Sequence, residues 1–212
     1  MSHCAFSPGT IQPEKKMKPL MFIISLIACG LVVSLGCNKK QPAPANQMQR
    51  QSLDMAVAHG ASSVAGIHWT RPERWNIQPP RQMRIVTYSI PPTEGDEEGG
   101  ECSVFYFGSG QGGDVKANID RWLEQFENAG SVEQLPKEVH GLKLTFVRIA
   151  GTYLAPSGPM MQSSGKKENY RLLGAIVDAP DGMVFFKLTG PAKTVVACEA
   201  EFSNLVESFS KQ

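Results

Sequence analysis

The sequence predicts an α+β protein with a mainly antiparallel β-sheet of about six strands flanked by helices. Its strand-like segments come in pairs joined by turns, at residues 82–106 and 170–190. Apolar residues at helical spacing are confined to two other segments, 114–126 and 192–209. Because strands and helices do not alternate as repeated βαβ units, the strands are expected to pair as antiparallel hairpins.

The first 37 residues have the layout of a secretory signal peptide. Three lysines between positions 15 and 18 precede a run without charge from Pro19 to Gly36, and the chain becomes polar after Cys37. A basic segment followed by an apolar stretch is typical of such signals. A transmembrane anchor is the alternative, because the run is close to the roughly 20 residues that a spanning helix needs. The small residues and the cysteine at its end favour the signal peptide.

The end of this run resembles the lipobox of bacterial lipoproteins, in which a small residue precedes the cysteine that becomes lipidated. Two cysteines compete for that role, Cys29 in the segment LIAC and Cys37 in the segment SLGC. Ser34 stands where that family usually has Leu. Lipidation at Cys29, however, would leave too short an apolar stretch if translation starts at Met17. We therefore predict that Cys37 is lipidated.

This assignment divides the chain into three parts. Residues 1–36 are the predicted signal peptide with an upstream extension, and residues 37–60 are the lipidated cysteine and a flexible tether rich in Gln, Pro and Ala. Residues 61–212 are long enough for one α+β globular domain. The lipoprotein resemblance implies attachment to a membrane through the lipid, in the cell envelope and facing the periplasm. Asn38 favours the outer over the inner membrane.

Two β-type segments around a polar loop predict the first hairpin. Residues 82–90, QMRIVTYSI, alternate in side-chain character, and residues 101–107 read ECSVFYF. Such alternation is the pattern of a half-buried strand. The loop between them contains TEGDEEGGE, whose carboxylates are expected to be solvated. Before this hairpin, the segment IHWTRPERWNI predicts a short strand interrupted by Pro72.

The middle of the domain predicts a helix followed by a long strand. Asp114 is the candidate N-cap, and Gly130 and Pro136 are expected to end the helical region. Residues 142–154, LKLTFVRIAGTYL, predict a strand with a bulge at Gly151. Residues 155–169 are predicted to be a loop. The apolar positions at helical spacing are Val115, Ile119, Trp122, Leu123 and Phe126.

The C-terminal part predicts a second hairpin and a final helix. Asp181 and Gly182 form the strongest hairpin-turn signal in the chain, and Gly190-Pro191 ends the second strand. From residue 192 to residue 209 the apolar residues return to helical spacing. The domain is therefore expected to end with a packed helix.

A glycine-rich loop precedes the first helix and has the G-x-G-x-x-G spacing of dinucleotide-binding proteins. Its glycines are at 108, 110 and 113. That motif needs a βαβ unit and an acidic residue about 20 positions further on, at the end of a parallel strand. Glu133 has the right distance, but the surrounding SVEQLPKE does not have the pattern of an apolar strand. We predict that the glycines permit a tight turn with positive φ; a nucleotide- or anion-dependent enzyme using residues 108–113 is the alternative.

Charge excludes one class of partner and indicates one candidate surface. Removal of residues 1–36 takes three lysines and one glutamate from totals of 21 basic and 20 acidic side chains. The remaining chain is nearly neutral, which argues against a nucleic-acid-binding protein. Four arginines lie close together in the sequence beside Trp69 and Trp75, which belong either to the core or to an aromatic surface. A contact face for an anionic ligand or an envelope protein is predicted at Arg71, Arg74, Arg81 and Arg84, with an ordinary solvated basic surface as the alternative.

The sequence predicts no catalytic site, no metal site and no cofactor. Ser109 lacks the G-x-S-x-G context of a nucleophile elbow. The histidines at 59, 68 and 140 show neither an i, i+4 pair nor the cysteine cluster of a zinc site. Cys102 and Cys198 are expected to be separately buried thiols, with a disulfide as the alternative.

Two short motifs resemble the family that includes PsbP of photosystem II and the related Ran-binding release factor. A short strand runs into P-x-x-W at Pro72 and Trp75, and the last helix ends in L-x-x-S-F at residues 205–209. The resemblance covers roughly residues 64 to 210 and implies an α/β/α sandwich with an antiparallel sheet. It implies a non-enzymatic assembly or accessory role, and no functional residue of that family has a match here. The sequence therefore predicts a lipid-anchored periplasmic accessory or binding protein without catalytic activity.

Overall fold

The computed structural model describes residues 62–130, 132–157 and 162–212, with the side chains of 156, 157 and 162–164 left undescribed. The predicted signal peptide, both lipidation candidates Cys29 and Cys37, and the tether up to residue 60 lie outside the described residues. All described residues belong to one compact unit.

Strands dominate the described part of the chain, which contains eleven strands and three helices. In chain order the strands are β1 (Ser63–Val64), β2 (Ile67–His68), β3 (Asn76–Ile77), β4 (Val86–Ile90), β5 (Gly100–Tyr106), β6 (Phe126–Glu127), β7 (Glu133–Val139), β8 (Leu142–Ser157), β9 (Gln162–Ala179), β10 (Gly182–Pro191) and β11 (Ser210–Lys211). The helices are α1 (Val115–Leu123), α2 (Ala192–Ala197) and α3 (Glu199–Glu207).

The main sheet is antiparallel throughout the described residues. Its order is β3-β4-β5-β10-β9-β8-β6, and β7 also pairs with β8, which makes eight strands. The smaller sheet has the order β1-β2-β11. The predicted mainly antiparallel sheet with flanking helices is confirmed, but the expected number of about six strands was too low, and the protein is richer in sheet than a balanced sandwich.

The two faces of the main sheet pack against different helices. Along β10, Val184, Phe186 and Leu188 belong to the core that contains Phe202 and Leu205 of α3. Side chains alternate across a strand, so the residues between them face the other way. On that second face, Phe185, Leu172 and Ile176 pack with Ile119 and Trp122 of α1. The sheet therefore lies between α2 and α3 on one side and α1 on the other.

Both predicted hairpins and the predicted bulge are present. β4 pairs with β5, and β9 pairs with β10 around a two-residue turn at Pro180 and Asp181, one residue earlier than the predicted Asp181-Gly182. The register of β8 against β9 shifts between Gly151 and Tyr153, where a bulge was expected. Asp114 caps α1, because its carboxylate accepts a hydrogen bond from the backbone N–H of Ala117 at 2.7 Å.

Four boundaries differ from the sequence prediction. The first helix ends at Leu123, and Phe126 lies in β6, where its ring packs 5.2 Å from that of Tyr153. Residues 133–139 form a strand despite their polarity, because six of the seven are exposed in a strand at the sheet edge, where Pro136 is tolerated. The expected loop at 155–169 largely continues β8 and β9. The final helix is broken at Cys198, and the chain then forms β11.

Candidate functional site

A polar pocket of about 630 Å³ opens on the part of the second sheet face that α1 does not cover. Residues of β4, β5 and β10 line it, together with the loop between β4 and β5 and the β8–β9 hairpin. Its volume is in the range of small-molecule sites. Two of the four arginines of the predicted contact face, Arg81 and Arg84, lie in its wall.

Glu101 holds both arginines in place. The Nη1 atom of Arg81 donates to Oε2 of Glu101 at 2.8 Å, and Nη1 of Arg84 donates to Oε1 of the same carboxylate. Arg84 also donates to Oγ of Ser103 at 2.7 Å. Glu101 and Ser103 lie on the pocket side of the sheet because Cys102, between them on β5, faces the core, and Glu101 lines the pocket itself.

The Glu101 carboxylate is ionised at neutral pH. Burial by itself would raise the pKa of Glu101, but the hydrogen bond and positive charge of Arg84 and the charge of Arg81 outweigh it and lower that pKa. The side chain of Arg84 is 25% exposed and that of Arg81 is 50% exposed. Arg81, Arg84 and Glu101 therefore form one ion-pair network rather than separate, freely moving surface charges.

Both guanidinium groups keep donors for a ligand. Among the described residues, every hydrogen bond of the Arg81 and Arg84 guanidinium groups starts from Nη1, and each leaves its Nε and Nη2 without a protein acceptor. A guanidinium group has five N–H donors in a planar fork that matches carboxylate or phosphate oxygens. The arginines can thus bind an anionic group without releasing Glu101.

A third cation, Lys187 of β10, lies beside this network. Its Cα is paired with that of Ser103, and its ammonium donates to Oε1 of Gln125, just after α1. The ammonium also lies 5.5 Å from the ring centroid of Tyr153, a residue of the pocket wall. Burial, and then the charge of Arg84, lower the pKa of Lys187 to about 8, although Glu101 acts in the opposite direction.

The opposite wall of the pocket is closed by an ion pair and a tyrosine. Lys167 donates from Nζ to Oε2 of Glu98 at 2.5 Å, and the hydroxyl of Tyr170 donates to the other oxygen of Glu98. These hydrogen bonds lower the pKa of Glu98. The rings of Tyr170 and Tyr153 stack at 5.6 Å.

The sequence indicated that the carboxylates of the acidic loop are solvated, but several of them have partners in the protein. Besides Glu98 and Glu101, Asp96 is engaged: its carboxylate accepts from the backbone N–H and the hydroxyl of Thr194 at 2.8 and 2.7 Å. Thr194 lies in α2, so these contacts fasten the loop to the body of the domain. The loop forms part of the pocket wall.

The other two arginines of the predicted contact face lie elsewhere. Arg74 forms an ion pair with Glu201 of α3, whose other oxygen accepts from Nε1 of Trp75 at 2.7 Å. Arg71 donates to the backbone oxygen of Trp75. The contact face stays a prediction, but only two of its four members lie in the pocket, while Arg74 pairs with α3 and Arg71 contacts the backbone of its own segment.

The tryptophans between these arginines belong to the core. Trp69 is 2% exposed and Trp75 is 0% exposed. The Nε1 atom of Trp69 donates to the hydroxyl of Tyr88 at 3.0 Å, and the ring of Trp69 packs edge-on 5.0 Å from that of Phe186. The core interpretation of both residues is confirmed, and the alternative of an aromatic surface is wrong.

The glycine loop has the backbone conformation predicted for it. Gly108, Gly110, Gly112 and Gly113 all have positive φ, which glycine adopts without strain. A Cβ atom at Gly112 would lie 2.8 Å from the Phe107 ring. β7, which contains Glu133, pairs antiparallel with β8 instead of extending a βαβ unit, although its strand character was missed. The Asp114 carboxylate also already supplies a negative charge at the start of α1.

The remaining candidate residues have structural contacts. His68 contacts the Ser210 hydroxyl at 2.7 Å, and His140 contacts the backbone oxygen of Phe209 at 2.7 Å. Over the ranges that the structure describes, no group of three or more potential His, Cys, Asp or Glu ligands could hold a metal ion. The two cysteines at 102 and 198 are buried and free, in agreement with the prediction.

Glu101 in the pocket wall and Lys187 beside it were missed as site residues at the level of the sequence. Glu101 was counted with the acidic loop and as the first residue of the strand ECSVFYF, but its alternation with Cys102 was not used to place it on the polar sheet face. Lys187 interrupts the apolar strand MVFFKLTG, in which it is the one charged residue. A charged residue inside such a strand is a signal for a polar site on one sheet face.

Comparison with known proteins leaves the family open. No protein-family model matches the sequence, and no curated protein matches it. Among solved structures, a protein of unknown function, PA94 from Pseudomonas aeruginosa, aligns with a TM-score of 0.42 and 10% identity over 69% of this chain and 97% of that chain. Cyanobacterial PsbP from Synechocystis sp. PCC 6803 aligns with a TM-score of 0.42 and 9% identity over 72% of this chain and 96% of that chain.

The second of these structures is from the family that the sequence resembles. At such low TM-scores and identities neither alignment carries an argument about function. In the described residues, none of the helices has the length and apolar character needed to cross a membrane.

Proposed function

We propose that this chain is a lipid-anchored accessory or binding protein of the cell envelope that acts without catalysis. Lipidation at Cys37 would attach it to the membrane, and the tether of residues 37–60 would separate the domain from the lipid surface. The domain would face the periplasm, and Asn38 favours the outer over the inner membrane. The proposed PsbP-like character rests on the resemblance at Pro72, Trp75 and residues 205–209.

The observation that supports a binding role is the arginine pair in the pocket. Arg81 and Arg84 are fixed by Glu101, yet both retain N–H donors at a concave surface. Fixed charged groups lose little conformational entropy when a ligand binds, which favours affinity. We therefore propose that the pocket binds an anionic group, carried by a small molecule or by an envelope protein.

The ionisation of the pocket carboxylates supports binding over acid catalysis. The pKa values of Glu98 and Glu101 are both lowered by partners within the pocket. A general acid needs a raised pKa to hold its proton near neutral pH. For the alternative of an enzyme using residues 108–113, the positive φ angles already give the glycines a structural reason.

A comparison of arginine variants tests the proposed function. The full-length protein would be extracted from membranes in detergent, crosslinked and purified together with its bound molecules. Three proteins would be compared: the wild type, the pocket variant with Arg81→Ser and Arg84→Ser, and a second variant with Arg71→Ser and Arg74→Ser. The pocket variant is expected to lose a bound molecule that the other proteins retain. Lys116→Ser is the matched control for loss of charge, because its side chain is 84% exposed on α1. Identical bound molecules in all four proteins, with native folding verified, would contradict the proposal.

A further inference from the structure

We propose that the ligand of this pocket carries a phosphoryl dianion, bound by Arg81 and Arg84 with Lys187 as a third positive charge beside them. This inference specifies the chemistry of the binding role proposed above and rests on it.

The balance of charge around Glu101 is the first argument. Arg81, Arg84 and Lys187 are positive, and only the Glu101 carboxylate pairs with any of them in the described residues. Glu98 and Lys167 on the opposite wall neutralise each other. The cluster thus carries two positive charges in excess, which is the charge that a dianion would compensate.

The surroundings of Lys187 are the second argument. The residue is partly buried, and among the described residues its ammonium contacts a neutral amide and no carboxylate. The amide of Gln125 is oriented for this contact, because its Nε2 atom donates to the backbone oxygen of Arg121 at 3.1 Å and leaves Oε1 for Lys187. A partly buried cation without a carboxylate is destabilising unless another negative charge approaches. A bound anion would supply that charge.

The compactness of the cluster favours one tetrahedral dianion over two separated carboxylates. Both arginines reach the same carboxylate, and Ser103, which accepts from Arg84, is the direct strand neighbour of Lys187. Guanidinium forks and ammonium groups are donors that bind phosphate in proteins, and the Ser103 hydroxyl, which donates to Oε1 of Glu101 at 3.1 Å, holds the carboxylate between them. The Thr87 hydroxyl also lies 3.3 Å from Nη1 of Arg84.

The size of the pocket leaves room for more than the phosphoryl group. At about 630 Å³ it is larger than a single tetrahedral ion, and the ring of Tyr153 and the Glu98–Lys167 pair line its remaining wall. A phosphate monoester therefore fits better than free phosphate alone. A soluble monoester and a phosphomonoester lipid present the same chemistry.

Calorimetric titration of the full-length protein in non-ionic detergent micelles tests this inference. Inorganic phosphate, glycerol 3-phosphate, succinate and chloride would be compared at constant ionic strength. Saturable binding of phosphate and tighter binding of glycerol 3-phosphate, neither matched by succinate or chloride, are expected. Micelles that contain phosphatidic acid form a separate arm. Tighter binding there than of glycerol 3-phosphate would support the phosphoryl group and place its source in a lipid.

Variants identify the residues that bind. Arg81→Gln is expected to weaken phosphate binding about tenfold or more, as for loss of one hydrogen bond to a charged group. Lys187→Gln should also weaken it, and Lys116→Gln should leave it unchanged. No saturable phosphate binding, or equal affinity in wild type and Arg81→Gln, would overturn the inference. Preference for succinate would overturn the inference but leave the proposed binding function intact. That function requires only that the pocket binds an anionic ligand and that the variant with Arg81→Ser and Arg84→Ser no longer binds it.

Discussion

Replacement of Lys187 by methionine should stabilise the protein, because the wild-type domain contains a cation in a site that does not solvate it well. Burial and the nearby charge of Arg84 lower the pKa of Lys187 from 10.5 to about 8. At about 1.4 kcal/mol for each pKa unit, the charged form would be destabilised by about 3 kcal/mol. The residue keeps some exposure to solvent, and screening reduces this value. Methionine keeps the unbranched shape and packs well beside an aromatic ring such as Tyr153.

The substitution also removes a favourable contact, which sets its net effect. The hydrogen bond from the Lys187 ammonium to Gln125 contributes about 1.5 kcal/mol, the lower end for a bond that involves a charged group, and its loss leaves the amide oxygen without that donor. A net gain of about 1 kcal/mol in the free energy of unfolding is therefore expected for Lys187→Met at pH 7 in phosphate-free buffer. Urea denaturation followed by circular dichroism measures it. Lys143→Met, an exposed lysine on β8, is the control for general loss of a lysine from a strand.

The dependence on pH separates the charge from packing. Because the folded-state pKa of Lys187 is below its unfolded value, the folded protein releases the proton first, and the destabilisation is fully present below about pH 8. It disappears as the pH rises from about 8 towards 10.5, where both states are neutral. The advantage of Lys187→Met over wild type should thus be largest at pH 7 and smaller at pH 9.5. A variant less stable than wild type at pH 7, or a difference that does not change with pH, would refute the reasoning.

Two further predictions concern the glycine loop and the anchor. Gly112→Ala should destabilise the domain by about 2 kcal/mol or more, because φ is +90° and the new Cβ atom would lie 2.8 Å from the Phe107 ring. Gly110→Ala, with φ of +68° and open space around it, should lower the free energy of unfolding by only about 1 kcal/mol. Thermal melts measure both variants, and equal losses would contradict the packing argument. Stabilisation of the wild type by ATP, GTP, NAD or FAD would revive the nucleotide alternative. Cys37→Ser should abolish labelling by a fatty-acid probe while Cys29→Ser retains it, and the reverse result would move the lipidation site to Cys29.

The hairpins could be predicted from the sequence because their strands carry core residues and the segments between them carry turn residues. In β4 and β5, residues that face the core alternate with polar ones. The Asp181-Gly182 signal marks the turn between β9 and β10, which the structure places at Pro180 and Asp181. β7 could not be found in this way, because six of its seven residues are exposed and backbone pairing with β8 holds it in place. The polar ends of β8 and β9 were read as a loop for the same reason. Alternating apolar and polar residues reveal a strand only where one of its faces packs against a core.

The pocket was harder to predict because its residues come together only through strand order. Arg81 and Arg84 were recognised as candidates, but nothing local to them indicates Glu101, 17 residues from Arg84 in the chain. Lys187 is brought beside them because β10 pairs with β5 in the sheet, in the register that opposes Lys187 to Ser103. Sequence spacing does not specify that pairing, since β5 is followed by four other strands and a helix before β10.

The position of α1 explains why the second sheet face is apolar at one end and polar at the other. Trp122 of α1 packs directly over Gly174 of β9, where a Cβ atom would come within 2.2 Å of its ring. The missing side chain at Gly174 therefore fixes where the helix rests, and a helix of nine residues, about 13 Å long, covers only the neighbouring strands. Lys187 is paired with Gly174 on one side and with Ser103 on the other, so it lies at the boundary between the covered and the open face. Because the helix ends at this boundary, Oε1 of Gln125 can accept a hydrogen bond from the Lys187 ammonium. The strands beyond the helix keep polar side chains on this face, and these side chains form the pocket.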